Sequence, residues 1–264
     1  MRDEIIREME VALKEGQFEV YLQPQCNIHS GVPIGAEALI RWNHPKKGMI
    51  APKEFLSISE KNGFIQKLDA YVWEQVCRLL HRWKEEGRVF HPLSVNISKR
   101  NLCNSKVCDK LIALAEEYEI APELLSIEVA EHAYQENQEK QEEMLERLQR
   151  YGFTVLMDDF GGGEASFDIL KDSVVDMLKL DLRLISREET PGQRGNRINC
   201  VGRMAKWLNL SMIAEGVETR RQVDYLNSIG CYVAQGYYYA KPMPIADYEV
   251  YLEAMTEKKL VHWN

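Results

Sequence analysis

The 264-residue sequence lacks a basic excess, because 33 Lys and Arg stand against 41 Asp and Glu for a net charge of −8. A surface of that sign is repelled by polyanions, which excludes proteins that coat DNA or RNA or lie on an anionic membrane. No apolar stretch approaches the roughly 18 residues of a membrane span. The opening MRDEIIREMEVALKEG is charged at helical spacing and has neither the apolar centre nor the small-residue cleavage site of a secretory signal, so a cytoplasmic location is expected. Only six histidines occur, and none closes one of the apolar runs described below, which counts against a Ser-His-Asp triad or a zinc site. The six cysteines (Cys26, Cys77, Cys103, Cys108, Cys200, Cys231) contain no CxxC pair and are expected to be free structural thiols. No short repeat, low-complexity tract or Pro/Gly/Ser-rich linker interrupts the chain. Residues 1–264 are therefore expected to form one domain, with an N-terminal helix over 1–16 leading into it.

What is present is 45% hydrophobic and 28% charged residues, the balance of a globular chain with a sizeable core. From about residue 90 onward, short β-branched apolar runs alternate with amphipathic charged segments. The runs are 93–97, 125–129, 154–159, 175–181, 211–215 and 232–235, and helical patterns such as 106–119 and 141–150 lie between them. That alternation predicts βα units around a largely parallel sheet, and the length suits a (β/α)8 barrel. Two extended segments near the start, 18–25 and 34–42, are joined by a turn-rich stretch. They predict a hairpin that would make one barrel strand antiparallel.

Most of these runs carry an acid or amide at or near the C-terminal end: Glu37, Asn96, Glu128, Asp158 with Asp159, Glu215 and Gln235, with Lys179 as the internal cation. From Asn96 to Gln235 they recur about every 28 residues, close to one βα unit, so a closed barrel would gather them at its C-terminal mouth, where barrel active sites are built. Five carboxylates at one mouth raise one another's pKa values unless cations neutralise them, and an all-oxygen set suits Mg²⁺ or Mn²⁺. The adjacent Asp158-Asp159 is the expected place for two metals to share ligands, as in phosphoryl hydrolysis. Proton abstraction α to a carboxylate, with Lys179 as base, is the competing chemistry; the doubled aspartate suits it less well. Gly161-Gly162-Gly163 has no GxxxxGK[ST] pattern and is read as a loop over the mouth. Arg41 could grip a phosphate oxygen or form a surface salt bridge. Trp42, Tyr237, Tyr238 and Tyr239 are read as core aromatics, and 134–150 as a solvated helix face.

Taken together, the chain resembles the EAL family of cyclic di-GMP phosphodiesterases over essentially its whole length. The ordered matches are Gln23-Pro24, Glu37-Ala38-Leu39 with Arg41-Trp42, Asn96-Ile97-Ser98, Glu128-x-x-Glu131, Asp158-Asp159-Phe160-Gly161, Lys179-x-Asp181, Ala214-Glu215-Gly216-Val217-Glu218 and Gln235-Gly236-Tyr237. The resemblance implies a modified TIM-type barrel with one antiparallel strand that hydrolyses cyclic di-GMP to linear pGpG. It implies that Glu37, Asn96, Glu128 and Asp158 hold one metal and that Asp158, Asp159 and Glu215 hold a second. Lys179 would position or help activate the attacking water, Gln235 would support the site, and Gln23, Leu39, Arg41 and Asp181 would lie along the substrate. Glu131 would anchor the loop that couples dimerisation to metal and substrate binding, and a homodimer is expected. Two departures fall on that device: Ala130 stands where the family has Thr, and 159-DFGGGEAS-166 replaces Asp-Phe-Gly-Thr-Gly-Tyr-Ser-Ser. A non-catalytic cyclic di-GMP receptor with an altered loop is the alternative reading, and an interaction module that binds no nucleotide is a third.

Overall fold

A computed structural model describes residues 2–133, 138–160, 174–182 and 194–261. After helix α1 (Arg2–Lys14), strands β1 (Phe18–Asn27) and β2 (Pro33–His44) form the expected antiparallel hairpin, in register from Phe18 opposite Trp42 to Cys26 opposite Pro33. Strand β2 then runs parallel to β4 (Leu93–Ile97), and β5 (Leu125–Ala130), β6 (Thr154–Phe160), β7 (Met177–Asp181), β8 (Ser211–Glu215) and β9 (Val233–Ala234) follow in order, each parallel to the last. Strand β1 closes the ring by pairing antiparallel with β9, Cys26 opposite Ala234. The architecture is thus the modified (β/α)8 barrel with one antiparallel strand. Strands β3 (Gly48–Ile50) and β10 (Met243–Pro244) extend β2 and β1 outside the ring.

The parallel strands read as near-continuous apolar runs because both faces are covered, the inner by the barrel's own side chains and the outer by helices. The covering helices are α2 (Pro52–Asn62), α3 (Ile65–Glu85), α4 (Lys99–Leu102), α5 (Lys106–Glu117), α6 (Gln138–Tyr151), α7 (Arg194–Trp207), α8 (Arg220–Ile229) and α9 (Ile245–Val261). Helix α2 starts with Pro52 in its first turn, where a missing N–H costs nothing, and stops at Gly63, whose φ of +86° is open to glycine without strain. The main core runs through the barrel and onto the inner faces of α3, α5 and α6. A second cluster lies beyond the C-terminal end of β2, where Met9 and Ala12 of α1 cover Phe18, Trp42, Phe55, Phe64 and Leu68. In it Trp42 sits 5.3 Å from the Phe18 ring and 5.9 Å, edge-on, from Phe55, so this tryptophan is core as expected.

Candidate active site

Register gathers the predicted residues toward the C-terminal ends of neighbouring strands. Asn96 lies directly opposite Glu128 across β4–β5, Ala130 opposite Asp158 across β5–β6, and Asp181 opposite Glu215 across β7–β8. Glu37 is the exception in position: it sits mid-strand, because β2 continues past the ring to pair with β1 and β3. Lys179, two residues below Asp181, sends its long stem up through the barrel. Its ammonium lies 2.6 Å from Glu128 Oε2, 2.6 Å from Glu215 Oε1, 3.2 Å from Glu37 Oε2 and 3.3 Å from Asp158 Oδ1. Lys179 and Glu128 are both wholly buried.

These burials set the protonation states. Burial opposes charge on Lys179, but the surrounding Glu128, Glu215, Glu37 and Asp158 outweigh it and hold the ammonium well above its ordinary pKa. Burial likewise pushes the Glu37 carboxyl up, and Lys179 together with hydrogen bonds from Gln235 and Asn96 brings it below the usual range. At Glu128 the balance goes the other way; burial, then the Glu37 charge, outweigh the opposing pull of Lys179 and push it well above the ordinary value. Burial pushes Glu215 to about 8. Asp159 is raised too, by burial and by the neighbouring Asp158.

Adjacent residues on a strand point to opposite faces, so Asp158 and Asp159 could not both enter the mouth from a regular β6. The structure solves this with a bulge. The β6–β7 register slips by one residue between Met157 and Phe160, and Asp159 takes φ +57° while its N–H donates to Asp158 Oδ1 at 2.9 Å. A left-handed φ costs a non-glycine residue about 1 kcal/mol or more, and here it turns two consecutive carboxylates toward one centre. One oxygen each from Asp158, Asp159 and Glu215 then lie within 4.8 Å of one another.

Two amides complete the first ring. Asn96 Nδ2 donates to Glu37 Oε1 at 3.1 Å and Gln235 Nε2 to Glu37 Oε2 at 2.7 Å. Gln235 Nε2 also reaches Gln23 Oε1 at 3.0 Å, and Gln23 Nε2 donates to the Ala240 carbonyl, so Gln23 buttresses Gln235 from the side. Gln235 is held by its own backbone, N–H to Ala214 O at 2.8 Å and C=O accepting from Val217 N at 3.2 Å. Beside the ring opens a cavity of about 330 Å³, with Leu39, Pro52, Leu56 and Ile65 among its apolar walls and Glu37, Arg41, Asn96 and His132 among its polar ones. The Arg41 guanidinium lies 5.6 Å over the Tyr21 ring and donates to the Ile40 carbonyl. Asp181 is buried at the end of β7, and Glu131 is buried in the short turn that follows β5. The loop Gly161–Ser166 lies outside the described residues. Tyr237 and Tyr238 depart from their expected core role: they are 61% and 39% exposed, and the Lys241 ammonium lies 5.3 Å above the Tyr237 ring. One further group in the cavity wall, Asp69, carried no pattern that would have singled it out in the sequence.

The donor set fits hard divalent cations. It is all oxygen, three carboxylates already converge, and Glu128 Oε1 is buried with no hydrogen-bond partner among the described residues. Fold and site together define a class, a modified (β/α)8 barrel with an all-oxygen acidic centre at its mouth. Within it the chain belongs to the EAL domain family, whose pattern matches residues 6–242. It is 34% identical over 248 residues to the cyclic di-GMP phosphodiesterase NbdA of Pseudomonas aeruginosa, a match covering 94% of this chain and 32% of NbdA. It is 32% identical to the cyclic di-GMP phosphodiesterase RocR of the same organism, over 92% of this chain and 64% of RocR. The chain thus spans less than two thirds of the length of these relatives. The solved structure of the PaMucR phosphodiesterase in its c-di-GMP complex aligns with a TM-score of 0.87 at 30% identity, over 92% of this chain and 99% of that one.

Proposed function

We propose that this chain hydrolyses one phosphodiester bond of cyclic di-GMP to give linear pGpG, with two Mg²⁺ or Mn²⁺ ions as cofactors. The observation that carries the reading is the convergence of Glu37, Asn96, Glu128, Asp158, Asp159 and Glu215 around one buried lysine. The names of NbdA and RocR and the ligand of the PaMucR structure support the substrate class. Glu37, Asn96, Glu128 and Asp158 would hold one cation, and Asp158, Asp159 and Glu215 the other. Bound there, the cations supply charge neutralisation at the phosphate and acidify a water.

The chain's own groups do the rest. Lys179, held charged by its neighbours, is a donor that orients the nucleophile and is unsuited to act as the base of a proton abstraction. Asp159, with a raised pKa and nearer to solvent than Glu128, is suited to accept the proton. The apolar walls around Leu39 receive a base, Arg41 offers a planar donor to a phosphate oxygen, and Gln23 and Asp181 lie along the same path. Gln235 holds Glu37 in place, and Glu131 anchors the loop after Asp159. We assign the protein to the cytoplasm and its EAL domain to a homodimer. The thiols support the first part: all six cysteines are free, and burial pushes Cys26 up to about 11 and Cys77 up to about 12. Among the described residues no helix is long and apolar enough to cross a membrane.

The test is direct: purified protein with cyclic di-GMP and Mg²⁺ or Mn²⁺ should release pGpG, and Glu37→Ala should abolish release. Folded wild-type protein that binds the nucleotide without turnover under either metal would instead make it a receptor, the outcome to which Ala130 and Gly162 would contribute.

A further inference from the structure

We infer that Asp69 and Trp73 of α3 are positioning residues for the metal centre, acting through the backbone of Asn96. The inference rests on the metal-dependent reading above and adds to it a part of the molecule outside the barrel. Asn96 differs from the other proposed ligands in being neutral. The carboxylates of Glu37, Glu128, Asp158 and Glu215 are drawn inward by Lys179. An amide feels no comparable attraction, so its place depends on how firmly its own backbone is held.

The barrel alone holds it from one side. Toward β5, Asn96 is in register with Glu128, but toward β2 the bridges stop at Ala36–Leu93 and Glu37–Ser94, two residues short of it. Helix α3 takes over on that side. Trp73 Nε1 donates to the Asn96 carbonyl at 3.0 Å, and one turn earlier Asp69 Oδ2 accepts from the Ser98 N–H at 2.9 Å. The same oxygen accepts from Asn101 Nδ2 at 2.8 Å, and Gln66 Nε2 donates to Asn101 Oδ1 at 3.3 Å. Residues four apart share a helix face, so Asp69 and Trp73 grip the chain on both sides of Ile97. Both are buried. A buried carboxylate is costly to keep unless its bonds are needed, and these bonds go to the turn that leaves Asn96 facing the mouth.

The test is calorimetric titration of the full chain with Mn²⁺ alone, without nucleotide. Trp73→Phe keeps an aromatic ring at the site and removes the donor with the pyrrole part of the indole; Asp69→Ala removes the acceptor. Each should weaken Mn²⁺ binding about tenfold, the usual effect of an outer partner of a ligand, with the circular dichroism spectrum unchanged. Asp69→Asn keeps an oxygen able to accept both bonds and should bind within about threefold of wild type. In an Asn96→Ala background Trp73→Phe should cause no further loss, because a residue acting through Asn96 has nothing left to act on. Trp73→Phe and Asp69→Ala proteins that melt at lower temperature but bind Mn²⁺ as wild type does would overturn the inference, leaving these residues a purely structural role. Additive losses in the Asn96→Ala background would overturn it as well. Wild-type protein that binds no Mn²⁺ would fail at an earlier step, overturning the metal-dependent reading and this inference with it.

Discussion

Gly236 shows how one residue can control a ligand it does not touch. A methyl group at this position would stand 2.1 Å from the Val217 carbonyl oxygen and 2.4 Å from its nitrogen, both backbone atoms that cannot swing aside. The same Val217 binds the Gln235 carbonyl and, through its own C=O, the Tyr238 N–H. Gly236→Ala must therefore push this strap outward and carry Gln235 off Glu37. The expected cost is about 3 kcal/mol or more in chemical denaturation, with metal affinity falling in the same variant; an unchanged denaturation midpoint would refute the packing argument. At this scale the sequence was most legible where chemistry and spacing coincide. Glu128, Lys179 and Glu215 stand out because charged residues are rare in apolar strands. Tyr237 and Tyr238 were misread because an aromatic in an apolar neighbourhood looks alike in one dimension whether its ring faces the core or solvent. Asp69 and Trp73 were illegible for a different reason: a carboxylate and an indole on an amphipathic helix look ordinary until the turn they hold is placed beside them.

At the level of elements, the strand set was readable almost to the residue, with β4 and β8 spanning the expected 93–97 and 211–215. Buried parallel strands must be apolar on both faces, and that leaves a strong signal. Helices α2 and α3 and the outer strands β3 and β10 are additions of the structure; their residues carry none of the acids that mark the strand ends. The β6 bulge was not foreseeable either, since its cause is a backbone angle at Asp159 and aspartate occupies regular strands and bulges alike. Helix α8 provides a test of how separable scaffold and site are. Thr219 and Gln222 form a reciprocal capping box at its start, Thr219 Oγ1 accepting from the Gln222 N–H at 3.3 Å and Gln222 Oε1 from the Thr219 N–H at 2.8 Å. Thr219→Ala should lower stability by about 1 kcal/mol, read as a shifted urea midpoint. Turnover at saturating metal should stay within about twofold, because β8 keeps its ladders to β7 and β9.

For the whole molecule, the acidic centre makes stability depend on pH in a direction opposite to that of most carboxylate-rich proteins. An unfolded Glu215 loses its proton near 4.5, whereas the folded one keeps it to about 8, and Glu128 and Asp159 are shifted the same way. Between those values the folded state holds more protons than the unfolded state, so stability falls as pH rises. The metal-free protein is expected to lose melting temperature steadily from about pH 5 to pH 8. Mn²⁺ should restore it most at the upper end, where the carboxylates it needs are easiest to deprotonate; a flat or rising profile in chelator would refute the assignment. The closing pair of strands has a consequence of a different kind. Strand β1 meets β2 within a few residues but meets β9, at Cys26–Ala234 and Asn27–Val233, and β10, at Tyr21–Pro244 and Leu22–Met243, only across some two hundred residues of chain. During synthesis, then, the first hairpin can form almost at once and must wait for nearly the whole chain before its second edge is covered. Such long-range closure is slow and leaves a strand edge open to other chains. The antiparallel strand that completes the barrel is thus also the point at which a nascent chain is most exposed to pairing with a neighbour, and a chaperone that shields that edge would raise the yield of folded protein.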